Sequence, residues 1–432
     1  MDDTLTLSSG RPLRGECDVP GDKSLTHRAL LLAALADGPS RIQGYLAGGD
    51  CLATVGCLRA LGVEIETPTP GEIIAHGHGL RGLREPDDAL DCVRSGTTMR
   101  LLAGLMAGQV FYSILRAEPQ LRKRPMDRVI QPLRQMGAQI HGRAGDRLPP
   151  LTIVGQPLHG IEYATPVASA QVKSCLLLAG LYAEGSTTVI EPTLSRDHTE
   201  RMLRARGVDV ESRGARHTIV GPAGDLAALD VAIPGDFSSA AFFLAAGLIV
   251  PGSEIVVRDV GVNPTRTGLL DALRAMGGEI ELVNERDAGG EPVANIVVGH
   301  SALRGIELGG EIVPRMIDEF PILALAATQA HGVTRVRDAA ELRVKETDRI
   351  ATVVEALRHL GARIEPTPDG FIVEGPTPLA GAPVDSCGDH RLAMTLAIAG
   401  LVARGETTVH GMACVADSFP GFEQRLLRLR GN

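Results

Sequence analysis

A chain of 432 residues, 44% hydrophobic and 22% charged, is long enough for two or three folded domains and too apolar for a disordered one. Its net charge of −9, the absence of tryptophan and an aromatic content of 3% exclude the usual nucleic-acid binder, which gathers basic surplus and stacking platforms. No apolar run approaches a membrane span, no signal or transit pattern opens the chain, and seven scattered cysteines lack CxxC spacing. A cytoplasmic protein without disulfides or a metal site is expected.

The predicted elements repeat in chain order. LLLAALADG, ending at Gly38, is apolar nearly all round and reads as a buried helix. Residues 58–62 then spell Leu-Arg-x-x-Gly, followed by the strand-like VEIE. The same pair of signals returns as RLLAGLMAG (to Gly108) with 133–137 and AQIH, and as LLLAGLYAEG (to Gly185) with 203–207 and VDVE. It returns again as FFLAAGLIVPG (to Gly252) with 273–277 and GEIEL, and as ILALAATQAHG (to Gly332) with 357–361 and ARIE. The last copy is LAIAGLVARG (to Gly405) with 427–431. Each glycine predicts the close of its apolar helix. Copies lie about 70 to 85 residues apart, too long for an ordinary solenoid repeat. Each unit reads as strand, buried helix, strand, amphipathic helix, strands. Three units in each of two globes, dividing near PGDF at 234–237, make an α/β fold with a ligand cleft expected between the globes.

Polar clusters interrupt this pattern where buried helices begin. PGDKSLTHRA places Lys23, Ser24 and Arg28 at the first, where backbone N–H groups attract anions. Asp22 or Ser24 could equally serve as an N-cap. RSGTTMR puts Gly96, Thr97, Thr98 and Arg100 at the second, with Arg124 further on in LRKRPM. SAQVKS supplies Ser169, Gln171 and Lys173 at the third, and SRDHTE (195–200) follows in the same unit; hydroxyl and amide groups suit a polyol. In the second half, IDEFP carries Asp318 and Glu319, ELRVKETDR (341–349) carries Lys345, Glu346 and Arg349, and GDHRLAM carries Asp389, His390 and Arg391. His76-Gly77-His78 has no companion ligand set, GGD at 48–50 is no Walker loop, and no GxGxxG follows a strand.

In order, PGDKSLTHRALLLAALA, SGTTMRLL, KRPM, SAQVKS, ELRVKETDR and GDHRLAM resemble the motifs of the 5-enolpyruvylshikimate-3-phosphate synthase family over most of the chain. The resemblance implies the enolpyruvyl-transferase fold, two globes of three βαβαββ repeats, termed an inside-out α/β barrel. The globes would span 20–236 and 1–19 plus 237–432, the first strand packing with the second globe. It implies transfer of the enolpyruvyl group of phosphoenolpyruvate to the 5-hydroxyl of shikimate 3-phosphate, by a monomer without cofactor or metal. Lys23, Gly96, Arg124, Gln171, Arg349, His390 and Arg391 would surround phosphoenolpyruvate. Lys23, Ser24, Arg28, Ser169, Gln171, Ser195, Arg196, Asp318 and Lys345 would face shikimate 3-phosphate. Asp318 is expected to act on the hydroxyl and Glu346 on the methylene carbon, with Lys23, Lys345 and His390 completing the catalytic set.

Arg94, Ala170, Glu341 and Asp417 depart from the commonest family pattern, which bears on binding detail and glyphosate sensitivity rather than reaction class. Gly96 lacks the bulkier Ala of some tolerant members, so inhibition by glyphosate is expected. The alternatives are the related transferase acting on UDP-N-acetylglucosamine, or a repeat scaffold without catalysis. The former usually carries a reactive cysteine in a Gly-rich loop; Cys92 and Cys175 stand in other contexts.

Overall fold

The computed structural model describes residues 3–431. They form two compact units, one of 21–233 with 288–291, the other of 3–20, 234–287 and 292–431.

The first unit contains one module three times. In the first copy a buried helix, Lys23–Leu35, leads into the strand Ala36–Gln43, the helix Gly49–Ala60 and the strands Glu64–Glu66 and Glu72–His78. Ala36–Gln43 pairs antiparallel with Glu72–His78, Ile42 opposite Ile73, and Glu64–Glu66 adds to the far side. The remaining edge takes a parallel strand from elsewhere. In this sheet it comes from the end of the unit, Leu226–Ala227 and Val231–Ala232. In the next sheet it is Leu90–Asp91, beside Tyr112–Arg116, and in the third Leu158–His159 and Glu162–Ala164, beside Ala183–Ile190. Each module thus lends a strand to its successor and the last lends to the first. The sheets stay separate, so no closed barrel forms: helices lie inside three independent sheets.

The second unit follows the same rule with help from the chain's beginning. Arg14–Asp18 runs parallel to Glu254–Gly261, and Thr4–Ser8 pairs antiparallel with Glu406–His410. Its inner helices are Phe237–Ile249, Phe320–Thr328 and His390–Ala399, nearly wholly buried. Phe242, Phe243, Phe419 and Phe422 cluster in its core at ring separations of 5.4 to 6.4 Å.

The Leu-Arg-x-x-Gly signal has a local cause. Its leucine is buried in the first five copies, and its glycine has φ between +75° and +102° in all six. The residue after that glycine returns an N–H to the leucine carbonyl, as Val63 does to Leu58 at 3.0 Å, closing a Schellman turn. The arginine reaches six residues ahead and donates to a strand carbonyl: Arg59 to Ile65, Arg134 to Ile140, Arg204 to Val210, Arg274 to Ile280 and Arg358 to Ile364. Arg428 instead donates to Glu16, on the strand supplied from the chain's beginning. The motif is a stop-and-turn device, not a binding site.

The other glycine signal differs from expectation. Gly108 caps its helix in an ordinary right-handed conformation, but the first helix ends at Leu35, with Gly38 inside the following strand at φ +110°. Gly185, Gly252, Gly332 and Gly405 likewise lie beyond their helices with positive φ. They serve the reversal into the next strand, a left-handed bend that side chains resist.

Close packing of inner helices is most acute at Gly104, in the helix Gly96–Ala107. A Cβ there would lie 2.2 Å from the Cys175 carbonyl oxygen on the neighbouring helix Ala170–Gly180. Gly104→Ala must therefore separate two backbones and is expected to destabilise by about 1–3 kcal/mol, read as a lower urea midpoint with unchanged m-value.

Candidate functional site

In the first unit the inner helices begin with polar caps. Asp22 accepts from the Leu25 N–H at 2.8 Å, Ser95 from Thr98 at 3.1 Å and Ser169 from Val172 at 3.4 Å. Capping thus falls to Asp22 rather than to Ser24. Ser169 caps through its oxygen, which leaves its O–H able to donate.

Arg28 is buried and fully braced. Its Nε donates to Thr199 at 2.7 Å, one Nη to Ser174 at 2.7 Å and the other to the Ser24 carbonyl at 2.9 Å. Burial lowers its pKa to about 10. Arg196 reaches the Ser24 hydroxyl at 3.5 Å. Lys23 forms an ion pair with Asp50. Nothing in the GGD spelling distinguishes a lysine partner from a turn. Beneath these groups a buried chain joins His27, Thr54, Thr98 and Ser95. Burial holds the His27 imidazole down at about 3, so it is a neutral core residue.

Around Gly96 two guanidinium groups converge. A Cβ at Gly96 would stand 3.1 Å from an Arg100 Nη and 3.3 Å from an Arg124 Nη. Arg100 also donates to the Gln171 side-chain oxygen and to the Pro125 carbonyl, and Gln171 donates to Thr97 at 2.8 Å. Gln171 thereby links the second and third helix starts. Ala170, one of the departures, contributes its carbonyl to the Ser174 hydroxyl. Arg94 turns to the exposed Glu118 at 3.0 Å.

In the second unit Arg349 organises the cluster. It opens the helix Arg349–His359, and its side chain is 1% exposed. Nε meets Asp389 at 2.8 Å, Nη2 meets Glu346 at 2.7 Å and Asp389 at 3.2 Å, and Nη1 meets Asp318 at 3.4 Å. Burial opposes its charge, but the carboxylates of Asp389 and Glu346 outweigh that and raise its pKa. Conversely, burial would raise the Asp389 carboxyl, yet the Arg349 charge holds it below the usual range. Asp389 also caps its helix by accepting from the Arg391 N–H at 2.9 Å, placing His390 and Arg391 on the first turn.

Asp318 lies against two further cations, Lys345 at 3.7 Å and Arg391 at 3.8 Å. Burial pushes the Lys345 pKa down against the pull of Asp318 and Glu341, so this ammonium releases a proton more readily than an exposed one. Glu319 accepts from Ser238, which also receives Arg266 at 2.9 Å, and Arg266 pairs with Asp236 at 2.7 Å. Within ELRVKETDR the remaining charges are structural: Arg343 pairs with Asp348 at 2.7 Å, and Asp348 caps the helix through the Ala351 N–H.

Asp318, Lys345, Glu346, Arg349 and Arg391 therefore form one connected group, with His390 beside it on the same helix turn. Lys23, Ser24, Arg28 and Arg196 form a second group, and Gly96, Arg124 and Gln171 a third around Arg100. Asp50 and the Asp236–Arg266 pair are not among the sequence-based site candidates, and Asp389, grouped there with His390 and Arg391, holds Arg349 and caps the helix. Asp389 has a legible signal, an acidic residue directly before a cationic helix start.

A family model described as EPSP synthase (3-phosphoshikimate 1-carboxyvinyltransferase) matches residues 7–426. The chain is 55% identical to the 3-phosphoshikimate 1-carboxyvinyltransferase of Citrifermentans bemidjiense over 96% of its length and 97% of that protein. It is 51% identical to that of Brevibacillus brevis, over 98% and 99%. Among solved structures it resembles EPSP synthase from Acinetobacter baumannii, with TM-score 0.88 and 46% identity over 99% of this chain and 98% of that one. The enolpyruvyl transferase NikO from Streptomyces tendae, at 21% identity, shares the fold with TM-score 0.80 over 99% and 97%. With its sequence matched almost end to end, this chain belongs to the EPSP synthase (3-phosphoshikimate 1-carboxyvinyltransferase) family.

Proposed function

We propose that this chain transfers the enolpyruvyl group of phosphoenolpyruvate to the 5-hydroxyl of shikimate 3-phosphate, releasing phosphate, in the route to chorismate and aromatic amino acids. The observation that carries the chemical reading is the single guanidinium of Arg349, which holds both Glu346 and Asp318. Addition–elimination needs one group to take the hydroxyl proton and another to protonate the methylene carbon. Asp318 takes the first role and Glu346 the second, and as phosphate leaves the tetrahedral adduct a methyl proton returns to Glu346 so that the methylene reforms. Lys345 relays protons, and Lys23 and His390 stabilise charge as the phosphate departs. Arg124, Arg349 and Arg391 offer forks to the phosphate and carboxylate of phosphoenolpyruvate, with Gly96 and Gln171 shaping that ground. Ser24, Arg28, Ser169 and Arg196 contact shikimate 3-phosphate, with Ser195 in the loop that carries Arg196.

The protein works as a cytoplasmic monomer in this reading. None of its seven cysteines forms a disulfide, and no described helix is long and apolar enough to cross a membrane. Phosphate release with phosphoenolpyruvate plus shikimate 3-phosphate tests the proposal. Release with UDP-N-acetylglucosamine instead, or with neither acceptor, would overturn it. The neighbourhood of Gly96 gives a sharper expectation. In Gly96→Ala the two guanidinium ends must retreat by a few tenths of an ångström. The KM for phosphoenolpyruvate should rise roughly 3- to 30-fold, with a smaller change in kcat, because ground-state and transition-state grip weaken together.

A further inference from the structure

Beneath the loop joining the strand Ala183–Ile190 to the helix His198–Ala205 lies a charged cluster of no assigned role. The Lys173 side chain is fully buried and contacts both Glu191 and Glu200 at 2.8 Å. His217 closes the group, 3.6 Å from Glu191 and 3.3 Å from Glu200. Three hydrogen bonds join it to Ser195. The Ser195 hydroxyl donates to one Glu191 oxygen at 2.5 Å and its N–H to the other at 3.3 Å. Lys173 donates to the Ser195 carbonyl at 3.4 Å.

This geometry decides what Ser195 can offer a ligand. Burial alone would raise the Glu191 carboxyl, but the His217 hydrogen bond and the Lys173 charge hold it at about 2. It is therefore an ionised, acceptor-only group, and the proton in the short contact is that of Ser195. With its hydroxyl proton and its amide committed to Glu191, Ser195 has no donor left for a phosphate. The next residue, Arg196, extends to Ser24 from a loop fixed at Ser195. From the other side, Ser174 and Thr199 brace Arg28, and Ser174 adjoins Lys173 on the helix Ala170–Gly180.

We infer that Lys173 and Glu191 are positioning residues that lock Ser195, and through it aim Arg196 at the phosphate of the acceptor substrate. This rests on the proposed acceptor, a phosphorylated cyclic polyol. Burying an ion cluster is costly, and one that clamps a binding loop has a use beyond stability. Ser195 then acts as a tether rather than as a ligand.

The test compares wild type with Glu191→Gln, Ser195→Ala, Arg196→Ala and the doubles Glu191→Gln/Arg196→Ala and Glu191→Gln/Ser195→Ala. Turnover by wild type is measured first, so that failure of the reaction itself is seen separately. Dissociation constants for shikimate 3-phosphate and for unphosphorylated shikimate are then taken by calorimetry, with KM and kcat beside them. Glu191→Gln should weaken shikimate 3-phosphate about 10- to 100-fold, the scale of one charge-assisted contact. Shikimate and phosphoenolpyruvate should move less than threefold, and kcat only a few-fold. Both doubles should be no weaker than their worse single variant, because the residues act in series. Equal losses for shikimate with and without phosphate would overturn the inference, as would additive effects in either double. Ser195→Ala, a smaller change than removing a buried charge, keeps the test decisive if Glu191→Gln fails to fold.

Discussion

Glu346→Gln is expected to lower kcat by roughly 10²- to 10⁴-fold, the usual span for a lost proton-transfer group. The substitution keeps length and an oxygen that can still accept from Arg349, whose fork also holds Asp389 and Asp318. What it removes is the ability to carry a proton to carbon. The amide oxygen can keep the contact with Arg349, and Asp389 still neutralises that guanidinium, so the unfolding midpoint should shift only slightly. Single-turnover phosphate release separates the chemistry from product departure. Asp318→Asn should lose activity of similar order, but its loss should fall on deprotonation of the acceptor hydroxyl, visible as a changed acid limb of the pH–rate profile. Wild-type turnover in either folded variant would remove that residue from the acid–base pair.

How much of this was legible in the sequence depends on the kind of signal. Periodic signals carried far. Six Leu-Arg-x-x-Gly copies report a repeated local need, a left-handed glycine and an arginine tied to the next strand, so they survive as spelling. The apolar helices were equally plain because burial on all sides leaves no polar face. Strand lending was not visible. Val231–Ala232 and Arg14–Asp18 look like any short extended segment, and only tertiary pairing says which sheet takes them. The site shows the same division. Lys23, Arg28 and Arg391 stand out because cations at the start of apolar helices need a reason, whereas Lys345 shows in the sequence only as one charge in the run ELRVKETDR. Their anionic partners do not stand out. Asp50, Glu191 and Glu200 occur in ordinary helix-start or loop contexts and acquire meaning through side chains far away in sequence, as Lys173 and Glu200 do. In ELRVKETDR the separation of structure from site came from geometry: Arg343 and Asp348 satisfy each other, whereas Arg349 turns inward.

That inward turn gives the largest expected stability effect. Arg349→Met should destabilise the fold by about 3–5 kcal/mol, because it leaves the wholly buried Asp389 carboxylate without its principal cation. Arg349→Lys should recover only part of this. A lysine keeps the charge but cannot span Asp389 and Glu346 with one planar fork. The sign of the pH dependence follows from the Asp389 pKa, which the Arg349 charge lowers in the folded protein below the ordinary value of 3.8. In wild type the pairing contributes stability above that value and loses it as pH falls through the folded pKa. Without Arg349 the order reverses: burial then favours the protonated acid, and the variant gains relative stability as the carboxyl takes up its proton. The gap between variant and wild type should therefore be widest near neutrality and narrow toward about pH 4. Adding Asp389→Asn to Arg349→Met should recover part of the loss at neutral pH by removing the stranded charge, a coupling that independent sites would not show. Urea unfolding of the four proteins at neutral and acidic pH measures both effects. A gap below about 1 kcal/mol, or one that does not change with pH, would mean that Arg349 is held for its ligand alone and not for the carboxylates around it.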